Sequence, residues 1–175
     1  IINTLISCQE VDQIVVDTDS DVILTDLKSN YPEVMCVERP QHLRADAISM
    51  NEILIYDSGL VEADLYLQTH STNPFLKAAT ISRAINDFLA NSPPYDSLFS
   101  VTRLQRRLWD EQTRPINHDP NILLQTQDLP PVYEENSCIY LFRRSTLVGR
   151  RNRIGDNPLM FEMSAEEALD IDEES

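Results

Sequence analysis

The sequence predicts an α/β fold of three layers, a mostly parallel sheet with helices on both faces. Three observations carry this reading. Short apolar runs around Val15, Met35, Leu67 and Val101 alternate with longer stretches of helical periodicity. The links between them are short and lack the turn dipeptides that tight antiparallel hairpins need. Acidic clusters follow at both ends of the alternation, Asp17-Thr18-Asp19-Ser20-Asp21 and Asp170-Ile171-Asp172-Glu173-Glu174. Ligands of open α/β sheets bind beyond the carboxyl ends of strands, so such clusters are candidate seats for a hard cation.

Taken in order, residues 1–11 place Ile2, Leu5, Ile6 and Gln9 at helical spacing. They read as a helix whose start is missing or lies at the boundary. Residues 11–17 form a β-branched run and a central strand. Ser20 or Asp21 then caps a helix reaching about Leu27, and Pro32 ends it, since proline disfavours helix at the residue before it. Residues 34–37 are a second strand, and Arg39-Pro40 opens a loop holding His42, Arg44 and Asp46. A helix over 47–60 closes near Gly59. Residues 64–68 are a third strand. Residues 74–89 form a long helix with Leu76, Ala79, Ile81, Ala84, Ile85 and Phe88 as its buried stripe. A fourth strand covers 97–102. Residues 137–142 and 159–163 read as strands, with a short helix from a Ser145 cap to Arg151 and a helical turn at 165–168.

The alternation breaks over residues 103–131. Arginines interleave with Leu104, Leu108 and Trp109, then Pro115, Pro120 and Pro130-Pro131 follow. No regular helix fits. A projecting arm of short strands and turns is expected, serving a dimer surface or an active-site flap. An ordinary loop packed on its own domain is the plain alternative.

The 175 residues suit one domain with a sizeable core. Net charge is -15, from 14 basic and 29 acidic residues, which excludes a general nucleic-acid binder. Two of the basic residues are lysines, Lys28 and Lys77, and the rest are arginines, whose fork matches phosphate or carboxylate. No apolar stretch approaches 18 residues, so no spanning helix and no membrane partner are expected. Cys8, Cys36 and Cys138 lack metal-like spacing and read as buried free thiols, which fits a reducing, cytoplasmic setting.

Several candidate sites emerge, each with a structural alternative. Asp17, Asp19 and Asp21 suit a cation or a ligand hydroxyl, but Asp19 and Ser20 equally suit a helix cap. Asp170 and Asp172, two apart, can offer oxygens to one cation, or form a solvated acidic tail with Glu173 and Glu174. Arg39 and Arg44 can grip an anion, or form surface ion pairs of little energetic weight. Gln68, His70, Thr72 and Asn73 lie between a strand and a helix, a place for reading a ligand ring or for a polar turn. The three glycines make neither a Walker A loop nor a Rossmann fingerprint, and no serine-nucleophile signature occurs.

In order along the chain stand Val15-Val16-Asp17-Thr18-Asp19-Ser20, Arg39-Pro40-Gln41-His42-Leu43 with Asp46, Thr69-His70-Ser71-Thr72-Asn73-Pro74-Phe75, Asn136-Ser137-Cys138-Ile139-Tyr140 and Asp170-Ile171-Asp172. This ordered set resembles the cytidylyltransferases that make CMP-activated acylneuraminates and related acidic sugars. The resemblance spans nearly the whole chain. It implies a Rossmann-like nucleotide-diphospho-sugar transferase fold with a projecting dimerisation arm at about 103–131. It implies one domain over 1–175 that lacks the family's first strand and its basic, glycine-bearing nucleotide loop. The implied reaction is attack of a sugar hydroxyl on the α-phosphate of CTP, releasing pyrophosphate, with Mg2+ as cofactor. The implied partners are CTP, an acidic sugar and a second copy of the chain in a homodimer.

Carried over residue by residue, the resemblance puts metal binding and catalysis on Asp170 and Asp172. Substrate binding falls on Arg39, Asp46, His70, Thr72, Asn73, Gln127 and Asn136. The polar turn departs from the family's gln-pro-thr-ser-pro pattern. A basic position becomes Thr126, and a glycine becomes Ser137. These departures bear on the sugar more than on the chemistry. A second reading keeps the fold and the dimer arm in a non-catalytic binding or assembly protein. A third, a haloacid-type phosphatase, would need a later lysine that Lys28 and Lys77 poorly supply.

Overall fold

Strand and helix alternate as the periodicity requires, and the departures lie in how the strands pair. The structure, a computed structural model, describes residues 1–171. Asp172 lies outside the described residues. The elements are α1 (Ile2–Ile6), β1 (Val15–Thr18), α2 (Asp21–Asn30), β2 (Met35–Glu38), α3 (Met50–Leu60), β3 (Tyr66–Gln68), α4 (Ala78–Asn91), β4 (Ser97–Leu104), β5 (Val132–Phe142), α5 (Arg144–Arg150) and β6 (Pro158–Glu162). Single 3-10 turns cover Gln41–Leu43 and Thr126–Asp128.

Among the described strands, β1 and β2 pair in parallel, while the other four run in the order β3-β5-β4-β6. β5 is antiparallel to both β3 and β4, and β6 is parallel to β4. The expectation of one mostly parallel sheet is corrected here. The reason is physical: β4 and β5 are joined through the whole of residues 105–131, so their antiparallel pairing leaves no tight-turn signal.

The four-stranded sheet is covered on both faces. Leu67, Leu98, Cys138, Ile139, Leu141 and Phe161 pack with Cys8, Leu76, Ile81, Ala84, Ile85 and Phe88. Tyr66, Phe99, Tyr140 and Phe142 pack on the other side with Leu54, Ile55, Leu147 and Ile154. Tyr66 and Leu67, Leu98 and Phe99, and the run from Ile139 to Phe142 thus alternate between the layers, as the pleat demands, while Cys138 and Ile139, where the β4–β5 register shifts, share one. Helix α4 buries Thr80, Ile81, Ala84, Ile85 and Phe88, so Thr80 replaces the expected Ala79, which is exposed.

Helix ends follow local chemistry. The hydroxyls of Ser20 and Ser49 accept from the amides of Ile23 and Glu52, capping α2 and α3. The expected Ser145 cap is corrected: α5 begins at Arg144 without a side-chain cap. α1 stops at Ile6, short of the expected Val11, and α4 begins only at Ala78. Residues 105–131 carry one isolated bridge, Trp109 to Pro115, and no longer strand. They are held instead by Asn117. Its side chain accepts from the Leu108 amide at 2.9 Å and donates to the carbonyls of Arg106 and Pro130 at 2.7 and 3.1 Å.

Candidate functional site

The site begins with an irregularity in the central strand pair. The register of β4 and β5 jumps between Phe99 and Val101, so β5 carries extra residues opposite Ser100. Ser100 Oγ donates to Asn136 Oδ1 at 2.5 Å and accepts from the Ile139 amide at 2.8 Å. Asn136 Nδ2 donates to Thr102 Oγ1 at 3.0 Å, and the Cys138 amide donates to Asn136 Oδ1 at 3.3 Å. Asn136 therefore holds the bulge together. Ser137 takes φ 59, the left-handed region that favours glycine. Bulges re-aim side chains beside functional sites. This one turns Glu135, Asn136 and Ser137 toward a cleft of about 370 Å³, whose opposite wall is Leu169 and Asp170.

The Asp170 wall is fastened to the polar turn after β3. Asn73, 1% exposed, donates from Nδ2 to the Leu169 carbonyl at 3.2 Å. The Thr72 carbonyl accepts from the Ile171 amide at 3.0 Å. These two bonds bracket Asp170 and leave its exposed carboxylate on the cleft. Asn73 thus faces inward, and its Oδ1 is buried without a hydrogen-bond partner. A turn earlier, Glu167 accepts from the Lys77 amide at 3.3 Å and lies 3.5 Å from Lys77 Nζ, so it caps the start of α4. Below this wall sits the buried Cys138 thiol. Burial first, then the charges of Asp170 and Glu167, push it up to about 11, which keeps it an inert thiol.

Behind the bulge runs a polar relay that sequence reading did not isolate. The Gln68 amide nitrogen lies 3.0 Å from His70 Nε2, and Gln68 Oε1 accepts from Arg153 Nη1 at 2.7 Å. The Arg153 guanidinium lies 3.7 Å from the centre of the Tyr140 ring. The Tyr140 hydroxyl donates to Glu135 and reaches Ser137 Oγ at 3.2 Å. Gln68 and His70 stood out in the sequence as part of the polar turn and Tyr140 as part of the Asn136–Tyr140 segment, but nothing there joined them. Arg153 carried no signal, because its place depends on pairing across β3 and β5.

Arg39 falls elsewhere. Its Nε donates to Asp17 Oδ1 at 2.5 Å, and the Asp17 side chain is only 6% exposed. Asp57 of α3 joins them. Asp17 Oδ2 and Asp57 Oδ1 are both buried acceptors without a donor while ionised. One proton on Asp57 turns that clash into a hydrogen bond. Burial, then the Asp17 charge and this hydrogen bond, push the Asp57 carboxyl up to about 7, against the pull of Arg39. The expected Asp17 ligand role thus meets a structural one, while Thr18 Oγ1 and Ser20 start α2.

The folded chain holds this proton up to about pH 7, whereas an unfolded Asp releases it near ~3.9. The stabilisation is complete below the unfolded value and is lost as pH rises through the folded one. Asp57→Asn removes this loss. At pH 8 the variant is expected to melt about 2–4 °C higher, equivalent to about 1 kcal/mol after solvent screening. At pH 4 the difference should vanish. Melting curves across this range test it, and a constant offset would count against the shared proton.

The cleft gathers Asp170 and Asn136, and the polar turn of His70, Thr72 and Asn73 is tied to its Asp170 wall. Asp46 is exposed in the loop after Gln41–Leu43, and Gln127 is exposed on the Thr126–Asp128 turn; neither lines the cleft. No group of three or more His, Cys, Asp or Glu gathers as a metal cage among the described residues. Magnesium does not require one. It keeps several waters and takes one or two carboxylates beside substrate phosphates. Asp170 and Glu135, both lining the cleft, are hard oxygen donors of that kind.

A three-layer α/β domain with a carboxylate-lined cleft beside a strand bulge has the architecture of a Rossmann-like nucleotide-handling protein. The comparisons narrow the class. The profile of a family described as cytidylyltransferase matches residues 1–171, and the chain belongs to that family, whose activity is CTP-dependent cytidylyl transfer. It is 23% identical over 172 residues to post-translational flagellin modification protein B of Campylobacter coli, covering 92% of this chain and 72% of that protein. Among solved structures it is similar to a CMP:2-keto-3-deoxy-manno-octonic acid synthetase complexed with CTP. That match has TM-score 0.66 and 14% identity, covering 93% of this chain and 77% of the other. It is similar also to 4-diphosphocytidyl-2C-methyl-D-erythritol synthase from Anaerococcus prevotii DSM 20548. Here the TM-score is 0.67 and the identity 11%, over 97% and 77% of the two chains. These likenesses establish the Rossmann-like cytidylyltransferase fold.

Proposed function

We propose that this chain transfers CMP from CTP to an acidic sugar of the acylneuraminate kind, releasing pyrophosphate. The observation that carries the reading is Asp170, bracketed by the Asn73 and Thr72 bonds and presented to a cleft opposite Asn136. The similarity to a synthetase named for an octonic acid supports an acidic acceptor.

In the reaction, a sugar hydroxyl gives up its proton to solvent as its oxygen forms a bond to the α-phosphorus of CTP. The bond from that phosphorus to the bridging oxygen breaks, and pyrophosphate leaves with the electron pair. Asp170, with Asp172 beyond the described residues, would hold Mg2+, which supplies charge stabilisation for the phosphates. Asn136 fixes the facing wall, and the His70–Asn73 turn sets the height of Asp170. Arg39 is held ready by Asp17, and Asp46 and Gln127 belong to the substrate side of this reading. Release of pyrophosphate from CTP, dependent on an acidic sugar and on magnesium, tests the proposal. Turnover with no acidic sugar but with a polyol phosphate that lacks a carboxylate would replace the acceptor. The absence of any turnover would favour a non-catalytic binding protein.

Residues 103–131 support a homodimer in this reading. Trp109 is 51% and Leu123 91% exposed, and Ile116 and Ile122 stand open beside them. Aromatic anchors of this kind centre interfaces. A second copy is the occupant proposed, and sedimentation at tens of micromolar should show a dimer that Trp109→Ala weakens about tenfold or more. A strict monomer would remove this part of the proposal. No helix among the described residues is long and apolar enough to cross a membrane. The cysteines are free thiols, which supports a reducing, cytoplasmic setting.

A further inference from the structure

Acidic residues outnumber basic ones in this chain, 29 against 14. Arg39, Arg44, Arg114, Arg150 and Arg151 each pair with a carboxylate. Arg153 is half-buried, yet it has no carboxylate partner among the described residues. Its guanidinium is oriented instead by neutral groups, Gln68 Oε1 at 2.7 Å and the Tyr140 ring at 3.7 Å. One donor is used by Gln68, and the rest of the planar fork makes no hydrogen bond among the described residues.

The backbone around it is fixed. The Arg153 amide donates to Asn51 Oδ1 at 3.1 Å, and the Ile154 amide to Asn152 Oδ1 at 3.0 Å. Gly155 presses against Asp96, where an added Cβ would lie 2.1 Å from the carboxylate oxygen. A preorganised arginine that keeps its fork free is suited to an anion with two oxygens.

Its position gives that anion a source. The ring it covers belongs to Tyr140, whose hydroxyl reaches Glu135 and Ser137 on the cleft. The cleft itself is lined by Glu134, Glu135 and Asp170 and by no basic residue. An anionic acceptor entering it meets repulsion unless a cation stands close by. We infer that Arg153, held by Gln68 and stacked on Tyr140, binds the carboxylate of the acidic acceptor. This rests on the cytidylyl-transfer reading and names the group that selects its substrate. A phosphate of CTP offers the same fork chemistry and is the competing source.

Kinetics of the protein with Arg153→Gln and Arg153→Lys separate the two. Arg153→Gln should raise the KM for the acidic sugar about 10- to 100-fold, the weight of a lost charge-assisted contact. The KM for CTP should stay within about twofold and kcat within about threefold, since the contact is made equally before and during the transition state. Arg153→Lys, keeping charge without the fork, should recover part of the loss. A rise confined to CTP, or no rise in either KM, overturns the assignment. Calorimetric titration with N-acetylneuraminate and its methyl ester gives a readout without turnover. The wild type should bind the acid at least about tenfold more tightly than the ester, and Arg153→Gln should abolish that preference. Equal binding of acid and ester by the wild type would overturn the inference. Carboxylate-selective binding without pyrophosphate release would instead sink the catalytic reading and leave Arg153 standing. Melting curves of both variants show whether they fold.

Discussion

Asp170→Asn is expected to cut CTP-dependent pyrophosphate release by roughly 10²-fold, about 2.7 kcal/mol of barrier. The amide keeps the shape but loses the charge that a hard cation and the developing leaving group require. Asp172→Asn, on a residue outside the described structure, is expected to do the same. Stability should hardly change. Asp170 is exposed and makes no ion pair among the described residues, and like charges crowd this terminus. A double variant that kept full, magnesium-dependent activity would refute the assignment. A large fall in melting temperature would recast Asp170 as a structural residue.

Glu167→Ala is expected to have the second largest effect, through position instead of contact. Glu167 is 8% exposed and accepts from the amide of Lys77, the residue that precedes α4, with Thr80 adding a side-chain hydrogen bond. Burial pushes its carboxyl up, but the bonds from Thr80 and Lys77 and the Lys77 charge outweigh this and hold it below its ordinary value. Losing charge-assisted bonds of this kind costs about 1.5–3 kcal/mol, or roughly 5–10 °C in melting temperature. Because the folded value is depressed, the contribution is present above the unfolded value and disappears as pH falls through the folded one. The variant and the wild type should therefore converge in acid. Activity measured where the variant is folded should fall several-fold, since Asp170 loses the anchor just before it. Glu167→Gln should recover part of the packing but not the acid dependence. An unchanged melt at neutral pH would remove Glu167 from this role.

Much of this architecture was legible because its causes are local. Ser20 caps α2 by bonding an amide three residues on, and α4 announces itself by the spacing of Ile81, Ala84, Ile85 and Phe88. The pairing of β4 with β5 was not legible. It depends on a connection of residues 105–131 whose closure is set by Asn117 bonding three distant backbone groups. The same distinction governs the site. Asp170, Asn136 and Asn73 could be named from short motifs, yet the inward turn of Asn73 toward Leu169 is a contact across most of the chain. Arg153 and Asp57 gave no local signal. One becomes meaningful only over the Tyr140 ring, the other only beside Asp17. Ser137 was visible as a substitution for glycine, and its positive φ shows what the position demands.

The most direct test of the account is pyrophosphate release by the wild-type protein from CTP, with acylneuraminate or 2-keto-3-deoxy-manno-octonic acid, with and without magnesium. The account predicts release that requires CTP, an acidic sugar and magnesium together, and that falls by about two orders of magnitude in Asp170→Asn. Equal release without the sugar acid, or undiminished release in Asp170→Asn, would contradict it.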